Sequence, residues 1–92
     1  MKVTKSNYGE YSSDNYGAHS QRVDIGNLRL WFSYDTVIAF SNGAGLRMSE
    51  NRWGNTTGKH LNWIDRDKKN RLPREQFEAE LSAVLEQHNL IL

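Results

Sequence analysis

The dipeptide Gly26-Asn27, set between two alternating runs, constrains this chain more than any other feature. Residues 20–25 read SQRVDI and residues 28–33 read LRLWFS. A two-residue glycine-containing connection between alternating runs is a hairpin signal. With the turn at 26–27, Ile25 faces Leu28, Asp24 faces Arg29 and Val23 faces Leu30. Val23, Ile25, Leu28, Leu30 and Phe32 then share one face of the hairpin. On the other face Asp24 and Arg29 meet as an opposite-charge cross-strand pair. A slip of one residue would turn the apolar set to the wrong side and break the charge pair, so the register is well specified.

Tyr34-Asp35 reads as a second tight turn. The run TVIAF over 36–40 is short, β-branched and continuously apolar, which predicts a central strand covered on both faces. Residues 41–45, SNGAG, form a loop, and 46–50 a fourth strand at the edge. The second face of this meander carries Arg22, Arg29 and Ser33, but also Trp31, Ile38 and Phe40. A solvated face does not hold three large apolar groups. Its cover is the N-terminal arm, the 51–64 segment, or a partner. Residues 1–18, with Tyr8, Tyr11 and Tyr16 among turn formers, read as a loosely structured arm with one short strand at its start.

Beyond the meander the period changes. Residues 53–65 begin as a loop and end as a short helix with Thr57 as N-cap and Leu61 and Ile64 on one side. Residues 66–71 are a charged connector. Pro73, the only proline, suits the first turn of a last helix, with Leu72 stapled onto Phe77. Phe77, Leu81, Val84 and Leu85 make an apolar stripe at helical spacing, and Glu75, Glu78 and Glu80 lie where the helix dipole favours negative charge. Asn89 is expected to end this helix, whose stripe should lie against the Val23–Phe32 face. The expected fold is α+β: a four-stranded antiparallel meander, a short helix, and a C-terminal amphipathic helix packed on one sheet face. The 92 residues form one domain, with the arm at 1–18, the sheet at 20–50 and the helical part at 57–92.

A chain this size buries roughly two thirds of its unfolded surface, enough for a thin core and no deep active site. With no cysteine, disulfides and thiolate metal sites are excluded. The polar N-terminal residues predict no signal peptide, and no apolar run has the length of a membrane span. A cytoplasmic monomer with no membrane contact is expected. The net charge is +1, but it is unevenly spread. Residues 51–74 carry Arg52, Lys59, Arg66, Lys68, Lys69, Arg71 and Arg74 against Asp65 and Asp67. Residues 75–92 carry four glutamates and no lysine or arginine. Such asymmetry marks either a partner-facing surface or an acidic helix packed near a basic loop.

The segment GNTTGKH over 54–60 is one residue short of a phosphate-binding loop, and His60 stands where a magnesium-binding hydroxyl is needed. A nucleotide hydrolase is rejected. A backbone phosphate held by the helix N-terminus, Thr56, Thr57 and Lys59 stays open, beside the plainer reading of a capped glycine loop. His19, His60 and His88 make no metal-ligand spacing and no recognisable triad. Neither catalytic residues nor a cofactor is expected. Trp31 beside Arg22 and Arg29 offers a stacking platform for a base, or else packs with Trp63. The cluster Arg66, Lys68, Lys69, Arg71 and Arg74 is a solvated connector or a phosphate contact, and Asp65 and Asp67 weaken the second reading.

The stretches YGAHSQRVDIGNLRLWFSYDTVIAF (16–40), NRWGNTTGKHLNWID (51–65) and RLPREQFE (71–78) resemble a family of small proteins of unknown function found in phages and haloarchaea. A more glycine-rich loop is expected in that family where residues 41–45 stand. The resemblance transfers no catalytic residue. It implies a viral or mobile-element origin, a bacterial host cell as the setting, and a class of small proteins that inhibit host defence by stoichiometric binding. The expected function is therefore anti-CRISPR inhibition, acting sterically on a Cas protein complex of type I, its crRNA, or both. The expected partner-binding residues are Arg22, Arg29, Trp31, Lys59, His60, Lys68, Lys69 and Arg71. The alternative is a single-stranded nucleic-acid-binding accessory protein.

Overall fold

The computed structural model describes residues 3–9, 19–43, 45–88 and 90. Most of the expected arm, residues 10–18, and Asn89 as the expected helix end lie outside the described residues. Among the described residues, six strands and two α-helices follow one another: β1 (Val3–Asn7), β2 (Gln21–Ile25), β3 (Leu28–Ser33), β4 (Thr36–Ser41), β5 (Leu46–Ser49), α1 (Asn55–Ile64), a short 3₁₀ helix (Lys68–Asn70), β6 (Arg71–Leu72) and α2 (Arg74–Gln87). The strands lie side by side in chain order in one sheet.

Two tight turns set the middle of that sheet. Gly26 takes a φ of 59° and β2 pairs with β3 in the expected register, Ile25 opposite Leu28 and Asp24 opposite Arg29. The Tyr34-Asp35 turn joins β3 to β4, and there Tyr34 holds the positive φ at 57°. A positive φ at the first turn position suits the twist of a two-residue hairpin, but glycine adopts it without strain and tyrosine does not.

One irregularity redistributes the core. Trp31 pairs with Ala39, whereas Phe32 pairs with Val37, so Ile38 is an extra residue in β4. Such a bulge breaks strict alternation. Val37 and Phe40 join the cluster of Leu28, Leu30, Phe77, Leu81, Val84 and Leu85, with Phe32, Leu72 and Leu90 against it. Ile38 and Ala39 join Met48 and Leu61 on the opposite side, with Trp31 and Ile64 against them. Phe40, expected beside Trp31 and Ile38, therefore belongs to the α2 face. That face takes the apolar stripe of α2 as expected, while α1 covers the second face. The result is a sheet between two helices.

The sheet is wider than the expected four strands. β1 pairs antiparallel with β2, Val3 opposite Ile25. All five of its residues are exposed, so no apolar alternation marks it beyond the short strand expected at the chain's start. The segment expected as a connector supplies the 3₁₀ helix and β6. β6 pairs parallel with β5, Met48 opposite Arg71. Helix α1 is thus the crossover of a β5–α1–β6 unit. Its N-cap is Gly54 rather than Thr57, which lies buried inside the helix. Pro73 caps α2, and Leu72 packs against the Phe77 cluster, the arrangement of a hydrophobic staple. The first amide of α2, Arg74 N–H, donates to Glu50 Oε2 at 2.8 Å.

Candidate functional site

Three polar side chains are buried together where β3 meets α1. Ser33 Oγ lies 2.7 Å from His60 Nδ1 and 3.0 Å from Thr57 Oγ1. Thr57 and His60 stand one turn apart on α1, which explains why Thr57 faces inward instead of capping. The His60 imidazole is enclosed by rings, with Trp63 at 5.5 Å, Tyr34 at 6.1 Å and Tyr8 at 6.2 Å between centroids. Burial, with a smaller contribution from nearby His19, holds its pKa below the usual 6.5. A serine beside an imidazole is the opening geometry of a nucleophile and its base. Here Ser33 is 3 % and His60 0 % exposed, and we read the pair as a polar anchor between sheet and helix.

Two sets of cations stand out. Arg22 and Arg29 flank Asp24, at 3.1 and 3.9 Å. Arg47 grips Glu80 with two bonds of 2.8 and 3.0 Å. Arg52 bridges Glu50 and Glu75 at 3.2 and 2.7 Å. Arg74, expected in the basic cluster, lies between the rings of Trp53 and Phe77, 5.1 and 5.0 Å from their centroids. It donates to the Val37 carbonyl at 3.1 Å and pairs with Glu78 at 2.8 Å. These cations serve the fold.

The second set is not neutralised. Lys59, Arg66, Lys68 and Lys69 form no ion pair among the described residues. Lys59 and Lys68 line one open groove of about 450 Å³ together with Arg71, Asn51, Asn55, Gly58 and Asn62. Helical spacing puts Asn55, Lys59 and Asn62 on one exposed stripe of α1, and the β5–α1–β6 crossover brings Lys68 and Arg71 beside it. Arg71 is aimed by a 2.9 Å bond from Nη2 to Asn62 Oδ1. No carboxylate lines the groove. The nearby Asp65 and Asp67 turn oxygens toward backbone, accepting from Asp67 N–H at 2.9 Å and Lys69 N–H at 3.0 Å.

Of the eight residues expected at a partner surface, then, Lys59, Lys68 and Arg71 come together, with Lys69 adjoining Lys68. Arg22, Arg29 and Trp31 lie on the sheet, where Arg22 is opposite Trp31 and Trp31 is partly buried against the α1 cluster. His60 is on the inner side of α1. Sequence reasoning did not anticipate a second, smaller pocket of about 190 Å³ lined by Ser33, Tyr34, Asp35, Thr36, Ile38, Trp53 and Thr57. Tyr34-Asp35 was legible only as a turn, and only the fold sets Trp53 beside it.

The molecule is an α+β protein whose open, cationic groove lies on the crossover helix of a six-stranded sheet. The chain belongs to DUF8033, a family of unknown function, whose family model matches residues 1–79. No curated protein and no solved structure matches it. Among the described residues no helix is long and apolar enough to cross a membrane.

Proposed function

We propose that the protein works by binding rather than by catalysis, and that its groove takes the sugar–phosphate backbone of single-stranded RNA. One observation carries this reading: Lys59, Lys68 and Arg71, none of them paired with a carboxylate among the described residues, converge on one open surface, while Arg22, Arg29, Arg47, Arg52 and Arg74 are each paired with one. Phosphate contacts need charge that is not already neutralised, and they release counterions on binding. The asparagines on the wall add neutral donors and acceptors for phosphate and ribose.

The narrower setting we propose is inhibition of host defence, the RNA being the guide carried by a type I CRISPR surveillance complex. Its support is the resemblance of residues 16–40, 51–65 and 71–78 to small phage proteins. Blockage would be steric, by a monomer seated on exposed RNA and the adjoining Cas protein.

Fluorescence anisotropy with labelled single-stranded oligonucleotides tests the broader reading. Binding should weaken with salt with a log–log slope of about −2, at about −0.7 per phosphate for three cations. A Lys59→Ala, Lys68→Ala double variant should lower that slope to about −0.7. Absence of binding at low salt would overturn it. Co-purification with an RNA-loaded surveillance complex tests the narrower setting, which falls if the protein neither associates nor reduces target DNA binding.

A further inference from the structure

The small pocket beside α1 has features that its place in the fold does not require. Its two aromatic walls are Tyr34, 50 % exposed, and Trp53, 40 % exposed. Large apolar side chains left at the surface are ordinary singly, but these two face one cavity. Both are held in place by the protein itself. Tyr34 stacks on His19 with centroids 4.3 Å apart, and its N–H donates to the His19 carbonyl at 2.8 Å. The Trp53 backbone N–H donates to Asn51 Oδ1 at 2.9 Å, and the Arg74 guanidinium lies over its ring. Walls ordered before binding lose little freedom when a ligand arrives.

Tyr34 is also the only non-glycine with a positive φ among the described residues. Glycine at the first turn position would relieve that strain, as Gly26 does in the neighbouring turn. Strain of this kind is retained where the side chain does something that glycine cannot. The next residue, Asp35, brings a carboxylate to the pocket, and Thr36 completes the rim. At about 190 Å³ the space is smaller than the roughly 300 Å³ at which drug-sized sites begin. It suits one planar base.

The pocket adjoins the basic groove through a single loop. Asn51 and Asn55 line the groove, while Trp53 between them lines the pocket. A strand lying across the N-terminal end of α1 reaches both. From this we infer that the Tyr34–Trp53 pocket takes one base of the bound strand, and that Asp35 selects guanine. The inference rests on the backbone reading given above. Single-stranded RNA is read by splayed bases stacked on aromatic side chains and hydrogen-bonded on their Watson–Crick edges. An ionised carboxylate only accepts hydrogen bonds. Guanine presents two adjacent donors on that edge, its ring N1–H and its exocyclic amino group. Uracil presents one N–H between two carbonyl oxygens, which the carboxylate repels.

Two measurements separate this inference from the reading it rests on. The first compares an all-uridine octamer with one carrying a single central guanosine. The wild type should bind the second about tenfold more tightly, as a two-bond base contact discriminates. Asp35→Asn should abolish that preference while leaving the salt slope unchanged. Tyr34→Gly, which relieves the backbone and should fold, and Trp53→Ala should weaken the guanosine-containing octamer and leave the all-uridine one nearly unchanged. Equal affinity of the wild type for the two octamers would overturn guanine selection and leave backbone binding intact. The second measurement needs no phosphate: free guanosine and free uridine are titrated while the Trp53 indole N–H resonance is followed by NMR. Guanosine should shift it and uridine should not, whether or not the groove binds RNA. No shift with guanosine, or a shift produced instead by N-acetyl-lysinamide, would overturn the inference, the latter assigning the pocket to a protein cation.

Discussion

At His60 the imidazole is fully buried and bonded to Ser33 at 2.7 Å. Its pKa lies below 6.5 because burial disfavours the charged ring, and His19 adds a smaller like-charge effect. The unfolded chain therefore takes up this proton first as pH falls. The stability associated with a neutral His60 is fully present above the unfolded value near 6.5 and declines as pH drops through the lower folded value. Urea unfolding followed from pH 8 to pH 5 should show that decline in the wild type and a flatter profile in His60→Gln. A wild-type profile flat across this window would contradict the assignment. Glu80, drawn below 4.5 by its bonds to Arg47, acts in the same direction but at more acid pH, so the two windows are separable. The residue scale is where sequence reading was weakest. Serine, threonine and histidine give no periodic signal, so the pairing of Ser33 with Thr57 and His60 appears only when β3 meets α1. The same holds for Tyr34, Asp35 and Trp53.

At the scale of elements, the hairpin register was legible because Gly26-Asn27 fixes the turn and Val23, Ile25, Leu28 and Leu30 fix the phase. The α2 stripe was legible for the same reason, at a period of 3.6 in place of 2. What alternation could not show was its own interruption. In VIAF, residues 37–40, every residue is apolar, so nothing local tells which one is extra, and Phe40 was expected on the wrong face. Nor could it show β6, whose two residues pair with β5 only through a crossover. The cationic half of the groove, Lys59, Lys68 and Arg71, was legible as a charge cluster. The sorting of Arg22, Arg29, Arg47, Arg52 and Arg74 into ion pairs depends on tertiary partners. The bulge at Ile38 makes a definite prediction. Ile38 is 0 % exposed and holds Met48 and Leu61 against the sheet. Ile38→Ala should cost about 2–5 kcal/mol, read as a shift in the urea midpoint with unchanged slope. A cost under about 1 kcal/mol, as for an exposed site, would show that α1 does not rely on this contact.

At the scale of the whole molecule, the sheet runs from an exposed β1 to a short β6, with α1 and α2 covering opposite faces near its middle. Stability should be graded accordingly. Native-state hydrogen exchange should find the slowest amides in β3 and β4, whose Leu28, Leu30, Ile38, Ala39 and Phe40 are at most 2 % exposed, and the fastest in β1. Uniform protection across the six strands would contradict this picture. The parallel pairing of β5 with β6 has a further consequence, for the order of events as the chain folds. Strands β2, β3 and β4 are joined by turns of two residues, so their contacts are local and quick to form. The β5–β6 ladder instead waits until all of α1 and the 3₁₀ helix have been laid down, because its ends are distant in the chain. Lys68 and Arg71 ride on that late segment. A nascent or partly unfolded chain that keeps its central strands should therefore have no assembled groove, and its affinity for RNA should arrive only with the last step of folding.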